Sequence, residues 1–175
     1  GGLFGYLSGV LTNCTNTAAV TAPNSSYVGG IAGIETQTGE YTMSGLTNTG
    51  AIVGSSYVGG IFGSFQNKTK YRDNNTHISN VKKVNNSGNI TASGNYAGGL
   101  FGYLEFEGVG NGDNGYDYRN GKQALNMEEA ENSGDVTGVD YVGGLIGYGK
   151  TDSEQSEIVI YTQTGKVSGK TNTSD

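Results

Sequence analysis

An all-β solenoid of about five stacked coils is the fold that this 175-residue sequence predicts. Three observations point to it: a large glycine excess, a two-part motif recurring at a near-constant period, and insertions confined to one phase of that period. Glycine supplies 32 residues, where an average chain of this length has roughly 12. Apolar residues make up 34% and charged residues 15%, with one proline and no tryptophan. Glycine, asparagine, serine and threonine are weak helix formers, which excludes a helical domain. The absence of a G-X-Y period excludes collagen. Low charge, together with 12 tyrosines and 5 phenylalanines that need a place to pack, argues against disorder. No apolar run approaches the roughly 18 residues of a membrane-spanning helix.

The first element is the motif G-G-[LI]-x-G, found at 1–5, 29–33, 59–63, 98–102 and 143–147. The later four copies follow Tyr27-Val28, Tyr57-Val58, Tyr96-Ala97 and Tyr141-Val142. Each reads as one strand, in which Val58, Gly60 and Phe62 alternate with Gly59, Ile61 and Gly63. The second element is Asn-x-Gly-x-[VI], beginning at Asn48, Asn86 and Asn132, with weaker copies at Asn16 and Gln163. A third strand precedes it, carrying the apolar pairs Met43 and Leu46, Val81 and Val84, Met127 and Ala130, Ile158 and Tyr161. About three short strands thus make one coil, and coils start near residues 1, 29, 59, 98 and 143 of a single repeat domain spanning 1–175. Extra residues accumulate at about 66–77 and 105–123. Both insertions follow the glycine motif, so both become loops on one face of the solenoid.

The glycine core and its upstream Asn-x-Gly-x-[VI] resemble the GLUG-motif repeat family, over nearly the whole chain outside the two insertions. That family occurs in large secreted or surface-attached proteins, including adhesin-like proteins and the non-catalytic parts of immunoglobulin A1 peptidases. The resemblance implies an extracellular β-solenoid with no catalytic residue. Ala18 in place of glycine and Gln163 in place of asparagine depart from the pattern.

Like residues stack in a β-helix at about 4.8 Å. Tyr27, Tyr57, Tyr96 and Tyr141 are therefore expected to form one ladder, and Asn16, Asn48, Asn86 and Asn132 an amide ladder. A carbohydrate-binding aromatic track is the alternative reading of the tyrosines. Cys14 falls at the phase of Leu46 and Val84 and reads as a small buried residue. His77 has no second histidine to complete a zinc site and reads as a loop residue. The carboxylates Glu105, Glu107, Asp113, Asp117, Glu128, Glu129 and Glu131 read as solvated loop acids. A polysaccharide-cleaving pair and a weak calcium site around Asp113, Asn114 and Asp117 are the alternatives there. No cofactor is expected.

Seven Asn-x-Ser/Thr sequons occur, at Asn13, Asn24, Asn67, Asn74, Asn85, Asn89 and Asn172, more than chance would place. They are candidate N-glycosylation sites, with Asn67 and Asn74 favoured for their place in an insertion and Asn13 disfavoured beside Cys14. A net charge of −6 argues against nucleic acid as a partner. The chain opens inside its own motif, as a processed product or a piece of something longer does. Neither end carries a polar capping repeat, so head-to-tail self-association or continuation of the solenoid is expected. The predicted function is an extracellular structural or adhesive module, a stalk or fibre subunit, with a glycan or host-surface ligand as partner. The competing class is a spacer or substrate-binding part of a secreted peptidase or polysaccharide-active enzyme.

Overall fold

The computed structural model describes residues 1–69, 75–106, 122–151 and, as backbone alone, the strand at 156–161. Within them the chain is all-β, without helix, and its strands fall into four parallel sheets. One sheet joins Phe4–Leu7, Ala32–Gln37, Phe62–Asn67, Phe101–Phe106 and Ile146–Thr151. Opposite it lie Thr12–Asn16, Thr42–Asn48, Thr76–Asn86, Lys122–Asn132 and Ser156–Tyr161. Two narrow sheets close the circuit, one from Val20–Thr21, Ile52–Gly54, Ile90–Ala92 and Val136–Thr137, the other from Val28–Gly29, Val58–Gly59, Ala97–Gly98 and Val142–Gly143. Each strand pairs with its counterpart one repeat later, so the register reads the sequence alignment directly: Asn16↔Asn48, Asn48↔Asn86, Asn86↔Asn132.

The glycine motif is not one strand. It bends after Gly29, Gly59, Gly98 and Gly143, giving a two-residue strand and then a longer one. Strict alternation fails here, because Ile61 and Phe62 are adjacent and both fully buried. The glycine at the bend is required: a Cβ on Gly30 would run into the Gly60 carbonyl and the Asn48 side chain. Both insertions also begin and end in strand, since Phe62–Asn67, Thr76–Asn86, Phe101–Phe106 and Lys122–Asn132 extend into the spans read as loop.

Two apolar clusters fill the interior. The larger lies between the two wide sheets and holds Met43, Leu46, Val81, Val84, Met127 and Ala130, the apolar pairs of the third sequence element, with the stacked rings of Phe62, Phe65 and Phe101. The smaller holds Val28, Ile52, Val58, Ile90, Ala97 and Val136. One interior position breaks the pattern. In the row Leu7–Glu35–Phe65–Leu104, Glu35 is fully buried and neither carboxylate oxygen has a hydrogen-bond partner among the described residues. Burial alone pushes its pKa up to about 8.

Candidate functional site: a tyrosine-lined groove

Two rows of outward side chains meet along one corner of the solenoid. Tyr27, Tyr57, Tyr96 and Tyr141 each precede a two-residue strand and adopt left-handed backbone, with φ of 59°, 56°, 66° and 56°. A bulky L-residue in that region costs roughly 1–2 kcal/mol. The conformation turns the chain and aligns four rings. Successive centroids are 4.5, 4.7 and 5.0 Å apart, with planes within 13°, 25° and 14° of parallel. Stacking of this kind is worth about 0.5–1.5 kcal/mol per pair beyond burial, which offsets the backbone strain.

The second row runs Tyr6, Ile34, Ser64, Tyr103, Tyr148 along the first wide sheet. Tyr103 and Tyr148 lie 5.7 Å apart and 11° from parallel. They meet the ladder nearly at right angles, at 5.6 Å and 76° for Tyr57–Tyr103 and 5.5 Å and 69° for Tyr96–Tyr148. Both faces of Tyr57 and Tyr96 are already covered by ladder neighbours. They therefore present ring edges to the faces of Tyr103 and Tyr148, the arrangement that the ring quadrupoles favour.

Between the two rows lies a groove of about 300 Å³. Tyr57, Tyr96 and Tyr103 wall it, and Gln66, Glu105 and Lys150 form the rim. Gln66 Nε2 donates to Ser64 Oγ at 3.1 Å. Glu105 belongs to a strand, not to a solvated loop: its side chain is 6% exposed and accepts from Lys68 Nζ at 2.9 Å and Lys150 Nζ at 2.8 Å. Burial, and next the negative charge of Glu105, push the Tyr103 hydroxyl up to about 12, so it stays a neutral donor.

The asparagine ladder is internal. Asn16, Asn48 and Asn86 each donate from Nδ2 to the next asparagine Oδ1 at 2.7 Å. Each also donates to its own i+2 carbonyl at 2.8 Å. Both amide hydrogens are thus used, and aspartate could supply neither.

The sequons divide by exposure. Asn13, Asn24 and Asn89 are exposed and Asn85 is half-buried. The preference between Asn13 and Asn67 is reversed. Asn67 is fully buried, donating to the Gly39 carbonyl at 3.0 Å and accepting from Thr69 Oγ1 at 2.7 Å, so the folded chain has no room for a glycan on its nitrogen. Asn74 and Asn172 lie outside the described residues, as do Glu107, Asp113, Asn114, Asp117 and Gln163. Cys14 pairs in register with Leu46 and packs half-buried against the larger cluster. His77 is a strand residue, not a loop residue; its Nδ1 lies 2.6 Å from Glu40 Oε1. Glu128 pairs with Lys82 at 3.1 Å. Among the described residues no three histidine, cysteine or carboxylate side chains converge as a metal site would require.

Sequence reasoning missed Glu35 and the second tyrosine row. Both were in reach: Glu35 stands two residues after its motif, where Leu7, Phe65 and Leu104 stand after theirs. Tyr103 and Tyr148 each follow theirs directly.

No protein-family model matches the chain, and no solved structure matches it. It is 32% identical over 171 residues to halomucin of Haloquadratum walsbyi, a match covering 87% of this chain. The chain spans 2% of that protein's length.

Proposed function

We propose that this chain is an extracellular structural and adhesive module, a GLUG-like β-solenoid of about five coils acting as a stalk or fibre segment. The observation that carries the reading is the unbroken parallel register of four sheets, held inside by an amide ladder and outside by a tyrosine ladder. Such an array contains repetition and stiffness and resists local opening, because each coil is hydrogen-bonded to the coils on either side. The likeness to halomucin supports a place outside the cell. The exposed sequons Asn13, Asn24 and Asn89 suit a glycosylated surface.

The proposal includes stacking between copies, or onto further coils of a longer chain. Among the described residues, the strands Phe4–Leu7 and Thr12–Asn16 are hydrogen-bonded along one edge only, and Leu3, Phe4, Tyr6 and Val10 are exposed beside them. An open parallel edge with apolar side chains is a template for another coil.

Electron microscopy of the purified chain at neutral pH tests this. Filaments with an axial repeat of roughly 24 Å, about five coils at about 4.8 Å each, are the expected result. Discrete particles at every concentration would overturn end-to-end stacking.

A further inference from the structure

We propose that the tyrosine ladder is an oxidative cross-linking site, at which neighbouring phenol rings of one chain are joined by a carbon–carbon bond into dityrosine. The choice of residue is the first observation. Tyr27, Tyr57, Tyr96 and Tyr141 hold left-handed backbone, where glycine or asparagine would sit with less strain than a bulky residue. The turn itself does not call for tyrosine, so the ring is what the position supplies. The four rings are copies of one repeat, in one backbone conformation and ahead of strands paired in register. Like atoms therefore face like atoms, and the carbons beside the hydroxyl of one ring lie over those of the next. The spacing of the ring centroids is 4.5, 4.7 and 5.0 Å.

The second observation is where an oxidant can act. The chain has no tryptophan. Its methionines, Met43 and Met127, are fully buried, and Cys14 packs half-buried against the larger cluster. At the ends of the ladder Tyr27 and Tyr141 are 39% and 52% exposed. A one-electron oxidant arriving from solvent thus meets phenols first. Each of two neighbouring phenols gives up one electron and one proton. The unpaired electron of each phenoxyl is shared with the carbons ortho to its oxygen. Two such carbons join, and their hydrogens pass to the two oxygens, which restores both phenols. Hydrogen peroxide, acting through a peroxidase, takes up the two electrons and two protons and leaves as two waters. A ring whose faces are covered by its neighbours has its coupling partner already in place. Tyr27 with Tyr57, and Tyr96 with Tyr141, give two bridges, each tying one coil to the next. Such a bridge restricts the unfolded chain as a disulfide between the same positions would.

The bridges form within one copy, so the proposal does not depend on end-to-end stacking. Treatment of the dilute full chain with a peroxidase and hydrogen peroxide tests it, read by dityrosine fluorescence and by mass spectrometry of peptides from the monomer fraction. Bridges from Tyr27 to Tyr57 and from Tyr96 to Tyr141 are the expected result, outnumbering any between Tyr103 and Tyr148, whose rings are 5.7 Å apart. Tyr57→Phe combined with Tyr141→Phe keeps four stacked rings but leaves no two phenols adjacent in the ladder, so the dityrosine of the monomer should fall severalfold. Oxidation of the native chain in urea, where the rings lose their register, should lower it likewise and serves if the double variant does not fold. Absence of ladder bridges from the native monomer, or a dityrosine yield unchanged in urea or in the folded double variant, overturns the proposal.

Discussion

Replacing Glu35 with leucine should stabilise the protein, and by an amount that grows with pH. The side chain is buried in the row of Leu7, Phe65 and Leu104 with neither oxygen partnered among the described residues. Its folded pKa is raised to about 8, against 4.5 when exposed. An acid whose folded pKa is raised keeps its proton in the native state after the unfolded state has lost its own. The unfolded state then binds fewer protons, and stability falls as pH rises from about 4.5 to about 8. At pH 7 the 2.5 units separating that pH from 4.5, at 1.36 kcal/mol each, amount to about 3 kcal/mol. Glu35→Leu removes that penalty and places at this position the residue found at 104. A rise in melting temperature of roughly 6–12 °C at pH 7 follows for a chain of this size. Glu35→Gln separates the two contributions, because it abolishes the titration but keeps a buried polar group. Urea unfolding at pH 4, 6 and 8 is the assay. The native chain should lose stability across that range more steeply than either variant. A difference between native and leucine forms that does not change with pH would refute the reasoning, as would a leucine form less stable at pH 8.

Four further outcomes follow from the ladders and the groove. Asn48→Ala removes the Asn48 amide that donates to the Gly50 carbonyl and Asn86 Oδ1 and accepts from Asn16 Nδ2, and should cost about 2–5 kcal/mol in chemical denaturation. At Tyr57, with φ of 56°, glycine should be tolerated better than alanine, reversing the usual order, because both lose the ring but only alanine keeps the backbone strain; melting temperatures of the two variants decide it. Gly30→Ala should unfold at a markedly lower temperature, since its methyl meets backbone and the Asn48 amide. Glu105→Gln should lower the Tyr103 pKa from about 12 without restoring the ordinary phenol value, because burial, the larger cause, remains; the pH titration of the Tyr103 ring signal reads it.

The repeat made much of this architecture legible. A parallel solenoid pairs each residue with its own homologue one coil later, so aligning the copies of the motif is equivalent to writing the register. Asn48 over Asn86 and Tyr57 over Tyr96 could therefore be placed from spacing alone. The same alignment set Met43, Leu46, Val81 and Val84 on one inward face. What alignment does not encode is the path of the chain within a coil. The bend that splits the glycine motif depends on left-handed tyrosines and on the Asn48 amide filling the space left by Gly30, contacts between residues far apart in sequence. Composition misled at the insertions: Asn67, His77 and Glu105 look like loop residues, yet strand pairing carries them into the sheets. The groove is further still from the sequence, because its lining comes from both tyrosine rows and from strands of several coils. Sequence periodicity determined which residues stack along the axis, since that pairing is local to the repeat. Only the tertiary structure decided which rows face each other across a corner, since side-chain volume and backbone twist, summed around the whole coil, set that distance.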